Sequence, residues 1–334
     1  MHHFRLSFIV TGICLVTALY WGGLTGAFIA LVLAILEVSL SFDNAVVNAS
    51  VLKRMDERWQ FYFLTWGILI AVFGMRLLFP IIIVSAATGI GFIGVTDMAL
   101  HDPATYSRHL ADSHVQIAAF GGMFLLMVFL GFIFNEGKEL HWLGHIEEKM
   151  ASFGKLESIE LIVALGLLLI IQNWLPDEVR LDVMVSGVLG VILFVVVDSL
   201  STLFEDEDEG EHIAEAIKKA GFMSFLYLEV LDASFSFDGV IGAFAVTQDV
   251  IIIMLGLAIG AMFVRSLTVF LVRQGTLDEY VFLEHGAHYA IGALAGIMLI
   301  SISYHISEVI TGLTGAIFIG LSVYSSIQYK KAQV

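Results

Sequence analysis

Apolar runs long enough to cross a bilayer recur along this whole 334-residue chain. A helix rises about 1.5 Å per residue, so roughly 17–25 apolar residues cover the hydrocarbon core. Only 14% of the residues are charged and 58% are hydrophobic, whereas an ordinary soluble domain carries about 25% charged residues. The expected fold is all-α, a polytopic transmembrane helix bundle, with 1–334 as a single membrane domain. The formal charge of −16 suits cations better than nucleic acid or anionic lipid, so no nucleic-acid partner is expected. One cysteine, Cys14, excludes an internal disulfide and a thiolate metal site. The opening residues, Met1 to Tyr20, resemble a signal peptide, but the next apolar run begins at about Leu24 without a clear cleavage site. They are read as a retained first helix.

About ten spans are expected, at 5–21, 24–49, 61–87, 115–135, 158–174, 182–204, 221–246, 249–272, 286–304 and 306–328. The distribution of Lys and Arg tests this count, because cytoplasmic loops carry the excess. With the N-terminus inside, twelve of the sixteen basic residues fall on the inside: Arg5, Lys53, Arg54, Arg58, Lys138, Lys149, Lys155, Lys218, Lys219, Arg273, Lys330 and Lys331. Only Arg108 and Arg180 fall outside, and Arg76 and Arg265 lie within spans. The expected place is the cytoplasmic (inner) membrane with both termini cytoplasmic and the lipid bilayer as partner. A homo-oligomer stays open.

Within the second span the sequence reads Glu37-Val-Ser-Leu-Ser-Phe-Asp43-Asn44. An acid at the centre of a span costs roughly 2.5 kcal/mol or more on insertion scales, so it marks a functional site by default. The seventh span repeats the device as Leu228-Glu-Val-Leu-Asp232-Ala-Ser-Phe-Ser-Phe-Asp238-Gly239. Asp43 aligns with Asp238, Ser41 with Ser236, Ser39 with Ser234 and Glu37 with Asp232. Gly67 precedes Arg76 by nine residues, as Gly256 precedes Arg265. On the ten-span topology the two acid-bearing helices run in opposite directions. The chain therefore reads as two inverted repeats, with cores at 24–135 and 221–304, an arrangement that places substrate sites near the midplane.

A helix turns about 100° per residue, so Glu37 and Asp43 lie about 120° apart. Glu37 shares a face with Ser41 and Asn44, and Glu229 shares one with Asp232, Ser236 and Gly239. Either the helix unwinds locally around Ser39–Ser41 and Ser234–Ser236, or each helix offers its acids to two sites or two stages of one path. The candidate metal ligands, Glu37, Asp43, Asn44, Glu229, Asp232 and Asp238, are all oxygen donors. Ser41, Ser236, Arg76 and Arg265 support them. Hard divalent cations such as Mn²⁺, Ca²⁺ and Mg²⁺ want such a set, as transported substrate rather than as a prosthetic group. Five acids around one ion are too many to be all ionised, so protons are expected to exchange as counter-ions. Each arginine is expected to pair with an acid or with helix-end carbonyls and hold the bundle, with a gate or an oxyanion site as the sharper uses.

The charged segments at 97–114, 136–157 and 205–211 read as solvated faces. His285 and His288, with Glu284, open the ninth span, and His305 and Glu308 precede the tenth. They read as capped or snorkelled helix ends, with proton relay as the functional option. No nucleophile–base set stands out, and an enzyme is not expected.

The two motifs and the Gly-x8-Arg pattern resemble the TerC family of integral membrane proteins, named for tellurium resistance. The likeness covers both halves of the chain. Residues 283–292 (Leu-Glu-His-Gly-Ala-His-Tyr-Ala-Ile-Gly) and 118–127 (Ala-Ala-Phe-Gly-Gly-Met-Phe-Leu-Leu-Met) look like a branch of uncharacterised membrane proteins. The resemblance implies the broader lysine-exporter-like group, with inverted three-helix repeats and export of a divalent metal, manganese first. It carries Glu37, Asp43, Asn44, Asp232 and Asp238 over as metal-site residues. The family commonly has a serine where this chain has Gly239, so one hydroxyl is missing here. The leading expectation is a secondary transporter of divalent metal. The alternatives are an oxyanion transporter using the arginines and a non-transporting scaffold in metal stress.

Overall fold

The computed structural model describes residues 4–70, 74, 76, 78–205, 213–247, 249–274, 279–304 and 306–333. The side chains of Asp43, Ser236, Asp238 and Glu308, together with His305, lie outside the described residues, as does the acidic run beyond the Glu205 backbone. The described residues are helical with short connections, and no strand occurs among them. Among the described residues six helices are long and apolar enough to cross a membrane: Arg5–Leu40, His114–Ile133, Asp177–Ser199, Val250–Arg273, Leu283–Ser301 and Ile310–Ala332. We therefore read the chain as an integral membrane protein. It divides into two compact units, Met1–His114 with Glu207–Gly275 and Val115–Asp206 with Thr276–Val334. Each expected repeat core thus contributes to both units.

The first unit begins with α1 (Arg5–Leu40), which is not one rod. Gly23 has φ 64° and ψ −161°, a backbone shape that a residue without a Cβ adopts freely. Ala18 and Ala30 pack on the same Ile252, and Cys14 and Ala34 on the same Ile259. In a straight helix residues 14 and 34 would stand about 30 Å apart, so the chain doubles back at Gly23. The first arm runs antiparallel to α12 (Val250–Arg273), tied by Ser7 Oγ, which donates to Met262 O at 2.7 Å and lies 2.6 Å from Ser266 Oγ. The second arm runs parallel to α12. Asp249 caps α12 by accepting from the Ile251 and Ile252 amides at 3.0 and 3.1 Å, satisfying N–H groups that have no intrahelical partner. Trp21 Nε1 donates to the other Asp249 oxygen at 3.1 Å, which fixes the hairpin tip to the same cap.

The second arm ends at Leu40, and α2 (Phe42–Arg54) resumes after one residue, Ser41, with φ −105° and ψ 16°. Next come α3 (Glu57–Leu69), α4 (Phe79–Thr88), α5 (Phe92–His101) and α6 (Pro103–Asp112). The span expected over 61–87 is therefore interrupted. Between α3 and α4, Ile70, Gly74, Arg76 and Leu78 are π-helical, a widened turn that often accompanies functional sites. Pro80 follows in the first turn of α4, where a missing N–H is tolerated. The segment expected as an outside loop at 97–114 is helical, with Tyr106 and Leu110 buried. Its α6 is capped by Asp102, whose Oδ1 accepts from the Thr105 amide at 3.2 Å. The unit is completed by α11 (Ile213–Val246) and α12.

The second unit holds α7 (His114–Ile133), α8 (His145–Ser152), α9 (Ile159–Ile171), α10 (Asp177–Glu205), α13 (Leu283–Ser301) and α14 (Glu308–Gln333). Its helices approach closely through small residues, as membrane bundles do. Gly190 lies against the Phe120 backbone and Gly286 against Ser322, with no room for a Cβ at either.

The charge run at 136–157 is not simply a solvated face. Glu147 is 0% exposed. Its carboxylate accepts from Lys138 Nζ at 2.6 Å and from the Leu143 amide at 3.2 Å. His285 Nε2, bonded to Leu140 O at 2.9 Å, lies 3.4 Å from the same carboxylate. Burial alone would raise the Glu147 pKa. The two hydrogen bonds and the Lys138 and His285 charges outweigh it and hold the group below its ordinary value. His285 is therefore a buried tie between the α7–α8 segment and the start of α13, rather than a snorkelled helix end. His288 stacks on Phe132 with ring centroids 4.0 Å apart.

Candidate carboxylate–arginine site

The site lies within the first unit and is built where its two acid-bearing helices cross. Glu37 sits in the last turn of the second arm of α1, is 1% exposed, and accepts from Ser41 Oγ at 3.2 Å. That bond is the face-sharing the helical period anticipates, kept across the Ser41 break because the Ser41 amide still reaches Glu37 O at 3.0 Å. On α11, Asp232 Oδ1 accepts from Asn44 Nδ2 of α2 at 2.7 Å. The buried Arg76 guanidinium, carried by the π-helical turn, donates to Glu37 Oε1, and its Nη1 stands 3.9 Å from Asp232 Oδ2. Glu37 and Asp232, expected as joint metal ligands, thus face one guanidinium between them.

One turn below Asp232, Glu229 is 5% exposed, and among the described residues neither of its oxygens has a hydrogen-bond donor. Asp232 Oδ2, Asn44 Oδ1 and Asn48 Oδ1 lack donors as well. Glu229 and Asp232 line a cavity of about 40 Å³ with Asn48, Gly67, Thr268, Arg76 and Arg265. That is room for one or two waters or a monatomic ion. Arg265 has no acidic partner among the described residues, and its buried Nε is unsatisfied. Among the described residues, the pairing with an acid that was one expectation for both arginines is therefore present at Arg76 and not at Arg265.

The helix contacts follow a repeated plan. Along α3, Trp59 packs on Gly221, Phe63 on Phe225, and Gly67 on Glu229, whose Oε1 would lie 2.9 Å from a Cβ there. Along α12, Ile252 packs on Gly26 and Ala30, Gly256 on Ala30 and Leu33, and Gly260 on Ala34 and Glu37. Each helix carrying the Gly-x8-Arg pattern lies parallel to the acid-bearing helix of the other half. The two acid-bearing helices cross antiparallel. Glu37 Oε2 lies against Gly239, 2.7 Å from where its Cβ would be, while Asp232 meets Asn44. In the motif alignment Glu37 matches Asp232 and Asn44 matches Gly239, so these two contacts are counterparts.

Of the expected site residues, the structure brings together Glu37, Ser41, Asn44, Arg76, Glu229, Asp232 and Arg265. Asp43, Ser236 and Asp238 belong to the same helices, but their side chains lie outside the described residues. Among the described residues no three His, Cys, Asp or Glu side chains are grouped as a metal would need. The helix unwinding anticipated in both motifs is a one-residue break at Ser41, whereas α11 runs unbroken through residues 234–236. Sequence reasoning missed Asn48 and Thr268. Asn48 lies one helical turn after Asn44 and Thr268 three residues after Arg265, so a search for polar residues in phase with the motifs would have found them.

These features define a helical membrane protein with a desolvated carboxylate–arginine centre. The chain belongs to the family described as "Protein of unknown function (DUF475)", whose model matches residues 42–333. No curated protein and no solved structure matches it.

Proposed function

We propose that this protein is a secondary transporter that moves a hard divalent cation, Mn²⁺ first among the candidates, through the carboxylate centre. The observation that carries the reading is the cavity lined by Glu229 and Asp232, where both Glu229 oxygens and Asp232 Oδ2 lack donors among the described residues. Buried acceptors without donors are costly, and a cation is the partner that satisfies several at once. Asp43 and Asp238 extend the set on the same helices. The antiparallel crossing and its counterpart contacts support two inverted repeats, and the fold-back at Gly23 supports the ten-span count with both termini cytoplasmic. On that topology Asn48 and Thr268 lie toward the cytoplasm, so the described arrangement faces inward. The likeness of the motifs to TerC proteins points the same way.

Arg76 sets the chemistry of the exchange. A divalent ion cannot bridge Glu37 and Asp232 while a guanidinium stands between them. Cation entry therefore displaces Arg76 or begins at Glu229, the carboxylate without a donor among the described residues. Protons are the available counter-ions for the remaining acids. The second reading, oxyanion transport, is favoured by the Arg265 guanidinium that faces the cavity without an acid.

Equilibrium binding to purified protein separates the two. Mn²⁺ should bind the wild type and bind at least about tenfold more weakly to Glu229→Gln and Asp232→Asn, the loss of about 1.4 kcal/mol of charge-assisted coordination. Wild type that binds tellurite or phosphate but no divalent cation would replace this reading with the oxyanion one.

A further inference from the structure

Arg265 is the one cation at the centre whose charge the described carboxylates do not engage. Its counterpart Arg76 contacts Glu37 and Asp232 together. The two arginines occupy corresponding places: each follows by nine residues a glycine of a helix packed parallel to the other half's acid-bearing helix, Arg265 within α12 and Arg76 on the π-helical turn after α3. The carboxylates are equivalent too, since the Glu37–Gly239 and Asp232–Asn44 contacts are counterparts. A centre with this internal two-fold relation has a second arrangement, obtained by exchanging the conformations of its halves. In it Arg265 holds Asp232 and approaches Glu37, and Arg76 is released into the two-fold-related cavity.

The structure assigns Arg265 as a positioning residue, the alternate counter-ion that takes over the Glu37–Asp232 pair from Arg76 when the transporter changes the side it faces. This rests on the inverted-repeat transporter reading. One guanidinium between two carboxylates leaves the centre with the same net charge in both arrangements. Neither end state then exposes the bare pair to low dielectric, where two unbalanced acids would be expensive. The local asymmetry explains which arrangement is seen. Asp232 receives the Asn44 amide at 2.7 Å, whereas Glu37 faces Gly239, which offers no donor side chain. Arg76 accordingly closes on Glu37.

The exchange is tested without any substrate. In a Cys14→Ser background, one reporter cysteine replaces Thr268, which lines the described cavity, and another replaces Ala243, the counterpart of Asn48, which is wholly buried here. A small methanethiosulfonate reagent reads the exposure of each in reconstituted protein. Arg265→Ala removes the cation of the alternate arrangement, so labelling at 268 should rise and labelling at 243 should fall. Arg76→Ala should do the reverse, each moving the ratio of the two labellings by about tenfold, the measure of a two-state population shift. Arg265→Lys and Arg76→Lys keep the charge and should restore the wild-type pattern. Where an alanine variant does not reach the membrane, the glutamine variant takes its place. Shifts in the same direction, or no shift with Arg265 replaced, would overturn the exchange. Loss of Mn²⁺ binding with opposite shifts intact would instead remove the cation assignment and leave the exchange standing.

Discussion

Replacing Arg76 with methionine should destabilise the protein more than any surface change and in a way that a second substitution repairs. The guanidinium is buried, Glu37 is 1% exposed, and Asp232 Oδ2 lies 3.9 Å away. Methionine fills much of the volume but leaves two carboxylates facing each other without a cation. Breaking a buried pair by removing one partner costs about 3–5 kcal/mol, mostly the penalty of the stranded charge. Glu37→Gln alone should cost less, because Asp232 still balances the guanidinium. In the double variant the repulsion between the two carboxylates is gone and Asp232 keeps the Asn44 amide, so the loss should fall to about 2–3 kcal/mol, a coupling of roughly 1 kcal/mol or more. Denaturant titration of the four proteins in one detergent, without divalent cations, measures the cycle. Additive losses within about 0.5 kcal/mol would refute the claim that Arg76 acts as the counter-ion of Glu37.

Two further outcomes follow from the unsatisfied and the satisfied buried acids. Glu229→Gln keeps the shape and replaces a donor-less carboxylate with a neutral amide, so it should raise stability by about 1 kcal/mol while impairing cation binding, the trade-off of a functional site; thermal unfolding alongside binding reads both. Glu147 is the opposite case. Its folded pKa lies below the ordinary value of 4.5, so its contribution is complete above that value and is lost as pH falls through the lower folded one. Stability of the wild type should therefore drop in this acid range more steeply than that of Glu147→Gln, and parallel pH profiles would remove Glu147 as a stabilising ion.

The acids and arginines were legible because each breaks the apolar pattern of a span, and their duplication showed that two helices meet. The partner of Glu37 was not legible. Arg76 lies 39 residues away on a π-helical turn, and helical periodicity carries no information about contacts between helices. Nor did the alignment of Arg265 with Arg76 reveal that, among the described residues, only Arg76 would meet an acid, since the pattern Gly-x8-Arg is the same for both. Glu147 was hidden for a different reason. Its neighbours Glu148 and Lys149 are charged, and a charge run reads as solvated unless the fold buries one member. The burial rests on Lys138, Leu143 and His285, which reach Glu147 from separate positions. The fold-back at Gly23 was implied by two expected spans there, whereas the Ser41 break is too small to leave a pattern beyond the motif's own serines.

Flux through purified protein in liposomes tests the central claim most directly. Mn²⁺ uptake would be followed with an internal quenching dye, with and without a pH gradient, in the wild type, Asp43→Asn, Asp238→Asn and Asp232→Asn. The account predicts uptake that answers to the gradient in the wild type and none above empty liposomes in the three variants, with all four proteins equally incorporated. Wild-type protein that moves no Mn²⁺, Ca²⁺ or Mg²⁺, or undiminished flux in the variants, would contradict it.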